Sequence, residues 1–385
     1  MKPKTFMLIA GEASGDLLAA ELVSALREKV PDAKFFGAGG PKMAAAGVQL
    51  AFDLTQYSVV GFSDVLKNYS QFRRLFHQLL TLAIERQPDA IIGVDYGGFN
   101  LRFGHAIKNY LRSNPFSKWS PKIIQFVSPQ VWASRPGRAK LLEADYDLLL
   151  SIFPFEKDWY AKCVPKLRVE FVGHPMVDRF AIADRRGKME DGGGNAANIL
   201  LLPGSRTSEL KRHLPVMLDA VELIQRKVPG TSARMVLPNP ALKQLADKLS
   251  APPPNVEIQV GDLSPALTQA AIAIASTGTV TMECAFFGVP AVTLYQTSWF
   301  NYQIAKWIAT VKWATMPNIL ANEEVYPEFI QNDATPENLA GAALELLQNE
   351  PLRQKIKSQL AKIVSSLGEP GASKRAAAAI LSLFQ

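Results

Sequence analysis

The sequence predicts an α/β protein built from two doubly wound parallel sheets. Three observations lead there. Short apolar runs alternate with helix-period segments along most of the 385 residues, as buried parallel strands joined by crossover helices do. The runs end in turns rich in Gly, Pro or short polar residues, where an open sheet of this class binds its ligands. The alternation stops once, over 181–198, and then restarts. That pause separates a first domain, 1–180, from a second, 199–365, with a polar, Gly-rich linker between them.

The first run, 6–10, hands over at Gly11-Glu12-Ala13-Ser14-Gly15-Asp16 to a helix whose Leu18, Leu22, Ala25 and Leu26 share one face. Ser14 or Asp16 is expected to cap that helix. The turn fits neither G-x-G-x-x-G nor G-x-x-x-x-G-K-[ST], so by itself it announces neither a dinucleotide nor a nucleoside triphosphate. Further strands are expected at 34–37, 90–94, 122–127, 148–152 and 169–172. The strand at 90–94 runs into Asp95-Tyr96-Gly97-Gly98-Phe99-Asn100, where Asn100 is the expected cap of the next helix. Between these strands, 65–84 reads as an amphipathic helix. Phe72, Leu75, Phe76, Leu79 and Leu80 form its apolar face, with Lys67, Arg73 and Arg74 nearby. Such a stripe packs into a core or rests on a bilayer. The aromatic stretch from Trp299 to Trp313 poses the same choice.

The linker contains Gly192-Gly193-Gly194. Beyond it, 199–202 is a strand ending at Pro203-Gly204-Ser205-Arg206, followed by a helix over 209–227. Strands are expected at 234–237, 256–260, 271–275 and 291–294, and a helix opens at Gly278-Thr279. The region 336–385 is mostly helical with a break at 368–371, and its last part, 366–385, is expected to pack back on the N-terminal domain.

Composition narrows the function. Hydrophobic residues make up 48% and charged residues 20%, which suits a folded globular chain. The net charge of +7 favours an anionic partner, either a phosphorylated ligand or an anionic membrane surface. Nucleic acid is not expected, because no dense Lys/Arg tract with interleaved aromatics occurs. Cys163, Cys284 and the histidines His77, His105, His174 and His213 lack metal-site spacing, so no metal and no cofactor are expected. No run approaches the length of a membrane-spanning helix and no signal-peptide pattern opens the chain, so a cytoplasmic protein is expected.

Four turns carry candidate chemistry. Arg206, with Gly204 and Ser205, sets a fixed cation after the second domain's first strand, suited to bidentate contact with a diphosphate; the plainer alternative is a surface Arg in a turn. Gly278 and Thr279 open a helix whose first amides can receive a phosphate, and Glu283, one turn on, can take the two hydroxyls of a ribose or simply favour the helix dipole. Asp95, at the end of a buried strand, is a general base of raised pKa or the start of an Asx-turn. Ser128-Pro129-Gln130-Val131-Trp132, followed by Arg135, Arg138 and Lys140, is a phosphate-binding loop or a solvated charge cluster around a buried Trp.

Taken together the motifs resemble the lipid-A-disaccharide synthase family. The resemblance rests on Gly11-Glu12-Ala13-Ser14-Gly15-Asp16, Gly93-Val94-Asp95, Phe99-Asn100, Ser128-Pro129-Gln130-Val131-Trp132-Ala133, Phe153-Pro154-Phe155-Glu156, Val172-Gly173-His174-Pro175, Leu201-Leu202-Pro203-Gly204-Ser205-Arg206, Thr277-Gly278-Thr279 with Glu283, and Pro317-Asn318, in the family's order. It implies two Rossmann-like domains facing across a cleft, the GT-B architecture, and an inverting glycosyltransferase. Family members transfer 2,3-diacylglucosamine from its UDP donor to 2,3-diacylglucosamine 1-phosphate, forming the β-1,6-linked lipid A disaccharide 1-phosphate and UDP. The resemblance also implies peripheral attachment to the cytoplasmic face of the inner membrane and a homodimer. By motif, Asp95 is the implied general base, with Glu12 and Ser14 beside the acceptor. Arg206, Gly278, Thr279 and Glu283 are the implied UDP site, and Asn318 an additional cleft residue. Two positions depart from the family pattern: Gly98 stands where a second Asp is common, and Ser134 where a Trp is common. The competing readings are a UDP-sugar epimerase, a glycosyltransferase with another acceptor, and a non-catalytic nucleotide-sugar-binding protein.

Overall fold

A computed structural model of the chain describes residues 3–57, 69–184, 198–250, 252–253 and 255–385. It divides into two compact units, 1–179 with 367–385, and 180–366.

In the first unit, strands β1 (Thr5–Ala10), β2 (Lys34–Gly39), β3 (Gln49–Asp53), β4 (Ala90–Val94), β5 (Lys122–Phe126), β6 (Leu148–Ser151) and β7 (Val169–Phe171) form one parallel sheet in the order β3-β2-β1-β4-β5-β6-β7. Phe6 to Ala10 are all essentially inaccessible to solvent, because helices cover both faces of a parallel sheet. Those helices are α1 (Ala13–Lys29), α2 (Pro41–Ala45), α3 (Tyr69–Arg86), α4 (Gly97–Ser113), α5 (Val131–Ser134), α6 (Ala139–Asp145), α7 (Pro154–Cys163) and α8 (Pro175–Asp184). The strand order reverses between β1 and β4: the chain leaves β1 towards β2 and β3, then returns to build outward from β4. Helices diverge at such a switch point and leave a crevice at the carboxyl ends of the two strands.

The second unit repeats the plan. Strands β8 (Asn198–Leu202), β9 (Ser232–Leu237), β10 (Val256–Val260), β11 (Ile272–Ser276), β12 (Ala291–Tyr295) and β13 (Glu328–Ile330) are parallel, in the order β10-β9-β8-β11-β12-β13. The switch point lies between β8 and β11. Its helices are α9 (Thr207–Lys227), α10 (Pro240–Leu249), α11 (Leu263–Gln269), α12 (Thr279–Phe286), α13 (Trp299–Ile308), α14 (Met316–Ala321), α15 (Pro336–Gln348) and α16 (Glu350–Ser366).

The last helix, α17 (Ala372–Leu381), belongs to the first unit and packs on α1. Asp178 of α8 accepts hydrogen bonds from the amides of Gly371 and Ala372 and so fixes the start of α17. Beyond it, the Phe384 ring meets Phe6 edge-on at 6.3 Å, with Lys4 Nζ 4.2 Å over its face.

Several local expectations change. Of the linker expected at 181–198, residues 181–184 continue α8 and Asn198 opens β8, while 185–197 lie outside the described residues. The helix expected over 65–84 spans Tyr69–Arg86, and 65–68, with Lys67, lie outside the described residues. Neither Ser14 nor Asp16 caps α1: Glu12 occupies the cap position without a side-chain capping bond. Asp16 is buried and instead accepts from the amides of Gly40, Lys42 and Met43, neutralising the N-terminus of α2. Asn100 lies inside α4, whose cap position is Tyr96.

Candidate active site

The first crevice gathers Glu12 and Ser14 from the turn after β1 and Asp95 from the end of β4. The Ser14 hydroxyl reaches Asp95 Oδ2 at 3.5 Å, although the two lie 81 residues apart in sequence. Asp95 and Tyr96 both adopt left-handed backbone conformations, with φ of 51° and 46°. Two consecutive non-glycine residues there are unfavourable, and such strain persists where the surroundings enforce it. Here they do so through two buried amides. Asn100 Nδ2 and Gln125 Nε2 each donate to the Asp95 carbonyl at 2.8 Å, while the Asp95 amide donates to Phe126 O at 2.8 Å. Gly93 makes room for that grip, since a Cβ there would stand 2.6 Å from Gln125 Oε1. Gly11 makes room for the Tyr96 ring, which a Cβ would approach to 2.3 Å.

Burial raises the Asp95 pKa above the ordinary carboxylate range, and hydrogen bonds from the Tyr96 amide and Ser14 pull partly the other way. A carboxylate held in place and made more basic by desolvation suits proton abstraction. Burial, reinforced by the charge of Glu12, likewise raises the Tyr96 phenol. Gly98 is exposed, and an added Cβ would meet nothing within 4 Å, so the first turn of α4 has space for the side chain it lacks.

Next to this crevice, the Ser128–Trp132 segment closes over a buried polar network. Trp132 Nε1 donates to Glu156 Oε1 at 2.9 Å, and the Phe153 amide donates to Glu156 Oε2 at 3.3 Å. Ser128 Oγ donates to the Tyr160 hydroxyl at 3.0 Å. Burial pushes Glu156 up to about 7. His174, also buried, is pulled down to about 4 by desolvation and then by Arg179, and its Nδ1 accepts from the Met176 amide at 3.2 Å. That shift favours the uncharged ring near neutral pH.

The second crevice gathers the other candidates. The Pro203–Arg206 turn follows β8 and the Gly278 turn follows β11, so the two flank the second switch point. Gly204 (φ 117°) lets Glu209 fold back; a Cβ there would lie 2.5 Å from its carboxylate. Glu209 accepts from the Ser205 amide at 3.1 Å and from Arg206 Nη1 at 3.3 Å, leaving the Arg206 side chain about half exposed. His213 ties this turn to the end of β12: its Nδ1 lies 2.9 Å from Pro203 O and its Nε2 accepts from the Gln296 amide at 2.9 Å. Gly278 (φ 141°) is the cap position of α12, with nothing within 4 Å of an added Cβ. A ligand can therefore approach the backbone there. Thr279 is exposed, and Glu283, one turn further along α12, is half-buried.

Asn318 behaves differently. It is fully buried, its Nδ2 donates to Tyr326 O and Glu328 Oε1, and its Oδ1 accepts from the amides of Val325 and Tyr326. All four hydrogen-bonding positions of the amide are taken within the protein, so it shapes the loop and offers no free group to a ligand.

The amphipathic helix resolves towards the core. Leu75 and Leu79 are buried, and Phe76 packs against Phe99 and Phe103 at 5.3 and 5.6 Å. The aromatic stretch at α13 is the opposite: none of its residues is buried, and Trp299, Phe300 and Trp307 are 73%, 66% and 87% exposed. Among the described residues no helix is long and apolar enough to cross a membrane, and no group of three His, Cys, Asp or Glu side chains could hold a metal ion.

A family model described as Lipid-A-disaccharide synthetase matches residues 6–383. The chain belongs to the lipid-A-disaccharide synthase family. It is 36% identical to the lipid-A-disaccharide synthase of Trichlorobacter lovleyi, covering 100% of this chain and 98% of that one. It is 34% identical to that of Chromohalobacter salexigens, over 98% and 96%. Among solved structures, MurG of Acinetobacter baumannii superposes with a TM-score of 0.56 at 17% identity, covering 99% of this chain and 100% of that one. A structure of S. aureus MnaA with UDP gives 0.65 at 14% identity, over 99% and 97%. At such identities the likeness speaks for the fold, which is that of the two-domain GT-B glycosyltransferases and related epimerases. Both halves of this family member carry the expected polar turns at their switch points. Sequence reasoning missed Tyr96, Gln125 and the inward role of Asn100. A glutamine in the middle of the apolar run 122–127 was the available signal, because a buried amide needs partners.

Proposed function

We propose that this enzyme transfers 2,3-diacylglucosamine from UDP to the 6-hydroxyl of 2,3-diacylglucosamine 1-phosphate, forming the β-1,6-linked disaccharide 1-phosphate and UDP. The observation that carries the mechanism is the Asp95 carboxylate, fixed at the first switch point with its pKa raised by burial. It takes the proton of the acceptor hydroxyl as that oxygen forms a bond to C1 of the donor sugar. The bond from C1 to the diphosphate oxygen breaks on the opposite face, so the anomeric centre inverts. Ser14 steadies the carboxylate, and Glu12 lines the same turn on the acceptor side.

Negative charge develops on the departing UDP. Arg206, the backbone of Gly204 and Ser205, and the first-turn amides of α12 after Gly278 and Thr279 are suited to it; donors already in place lower the barrier without reorganising. Glu283 accepts from the ribose hydroxyls. Arg206 must then exchange part of its contact with Glu209 for the diphosphate.

Both sugars carry acyl chains, and the reading includes an anionic membrane surface as partner, on the cytoplasmic face of the inner membrane. Support comes from α13. Between Glu283 and Glu323 the chain has no acidic residue and two cations, Lys306 and Lys312, alongside the exposed Trp299, Phe300 and Trp307. Aromatic rings with nearby lysines favour the headgroup region of an anionic bilayer.

The deciding experiment is UDP release from diacylated UDP-glucosamine by the purified enzyme, with and without the monosaccharide 1-phosphate. Acceptor-dependent release with a disaccharide product is expected. Equal release in both arms would overturn the transferase reading.

A further inference from the structure

Helices α4 and α6 pack side by side, and charge lines the seam between them. The Tyr146 hydroxyl donates to Asn100 O at 2.7 Å, and Gly104 leaves space for the Tyr146 ring, which a Cβ would approach to 2.8 Å. Along the rest of the seam, three of the four basic side chains of α4 meet an acid. His105 lies 2.8 Å from Asp145, Lys108 3.4 Å from Asp147, and Arg112 3.3 Å from Asp145.

The fourth, Arg102, lies towards the Asp95 end of α4, and there the pattern inverts. Arg135 follows α5, and the Arg138 amide bonds back to Arg135 O at 3.0 Å, which sets these two side chains one turn apart at the start of α6. Among the described residues, none of the three guanidinium groups has a carboxylate within 4.0 Å. Arg138 is half-buried, and its neighbours crowd it: burial first, then the charges of Arg135 and Arg102, hold it below the usual arginine range. Three like charges gathered without a counter-charge repel one another. The same seam pairs its other cations, so the unpaired end reads as a seat for an anion supplied from outside. Guanidinium groups match phosphate oxygens with paired hydrogen bonds.

We propose that Arg102, Arg135 and Arg138 bind the phosphomonoester of the acceptor sugar. This rests on the synthase reading above. Asp95 lies two residues before α4, and from Gly97 to Arg102 the helix rises roughly 8 Å. A sugar ring together with an arginine side chain spans that distance, so the acceptor's reactive hydroxyl can meet Asp95 while its phosphate lies at the other end of the ring. The contact fixes which hydroxyl faces the base.

The test compares acceptors bearing and lacking the 1-phosphate, in wild type, Arg102→Gln, the double variant Arg135→Gln/Arg138→Gln, and Arg135→Lys/Arg138→Lys. Melting temperatures check folding. The ratio of kcat/KM for the phosphorylated over the dephosphorylated acceptor should fall about 10- to 100-fold in the glutamine double variant, the usual weight of lost charged hydrogen bonds, with partial recovery in the lysine variant. An unchanged ratio overturns the proposal. So does an unchanged ratio accompanied by lost binding to phosphatidylglycerol vesicles, which would assign the cluster to lipid headgroups. If wild type makes no product from either acceptor, the synthase reading fails, and calorimetric titration with the phosphorylated monosaccharide decides the inference separately. Binding weakened in the glutamine double variant keeps it, and equal or absent binding overturns it.

Discussion

Asp95→Asn separates chemistry from folding more cleanly than any other substitution in the first crevice. An asparagine keeps the side-chain shape and tolerates the left-handed backbone (φ 51°), whereas an alanine would add strain of about 1–2 kcal/mol. Loss of a general base removes about 10²–10⁴-fold in rate, or roughly 3–5 kcal/mol of barrier lowering. Arg206 and the α12 amides are untouched, so the variant retains leaving-group stabilisation and measurable turnover. Stability should move the other way. Desolvation is the largest influence on Asp95, so its folded pKa lies above its unfolded one. The folded protein therefore keeps a proton where the unfolded chain has lost it, and stability falls with rising pH through that window. The penalty is absent below the unfolded carboxylate range and complete above the folded pKa. The neutral amide of the variant carries no such penalty, so the variant should match or exceed wild type in melting temperature at pH 7, with the advantage disappearing at acid pH. The wild-type rate should climb with pH through the raised pKa and then level; the residual rate of the variant should lack that inflection. UDP release and thermal unfolding across pH read both. Full turnover in a folded Asp95→Asn variant, or a clear loss of stability at pH 7, would refute the reasoning.

Arg206→Gln should raise the donor KM about 10-fold or more while leaving the acceptor KM in place. Its exposed pair with Glu209 contributes little to stability, so an unfolding shift without a donor effect would count against a diphosphate role. Glu156, pushed up to about 7, keeps its proton in the folded state where the unfolded chain releases it. Stability to urea should thus fall from pH 5 to pH 8 by about 2–3 kcal/mol, and less in Glu156→Gln; a flat wild-type profile would deny the burial effect. Phe76→Ser, which opens the contacts to Phe99 and Phe103, should lower stability by about 2 kcal/mol with vesicle binding preserved. Trp299→Ser with Trp307→Ser should do the reverse, and retained binding to anionic vesicles would remove α13 from the membrane reading.

The central strands were legible because a strand covered on both faces must be apolar throughout, and 6–10, 90–94 and 199–202 are. Two of the four edge strands were not, although β7 and β10 were. Gln49–Asp53 and Glu328–Ile330 are only partly buried and carry polar residues, so their sequence lacks the continuous run. The positions of Asp95, Arg206 and Gly278 at strand ends were legible because glycine and charge after an apolar run are local signals. Long-range polar partnerships were hidden. Asp16 serves amides 24 to 27 residues away, and Asn100 turns back on Asp95 instead of capping its helix. Nothing in adjacent sequence distinguishes a cap for the residue's own helix from a cap for a neighbouring one.

The two units share a topology and differ in what they place at its reversal. Divergent crossovers leave a gap between β1 and β4 in one sheet and between β8 and β11 in the other. The first gap holds a carboxylate whose basicity depends on burial and whose backbone is locked by Asn100 and Gln125. The second holds an arginine and a glycine-opened helix start, a setting for negative charge. Exchanging these contents would defeat both. Under the proposed roles, an arginine beside Asp95 would lower its pKa and blunt it as a base, and a desolvated carboxylate beside the α12 amides would compete with the diphosphate. Inverting transfer needs a base on the nucleophile and positive potential on the leaving group at the same time, and on the proposed assignment a duplicated crevice would let each be tuned without degrading the other.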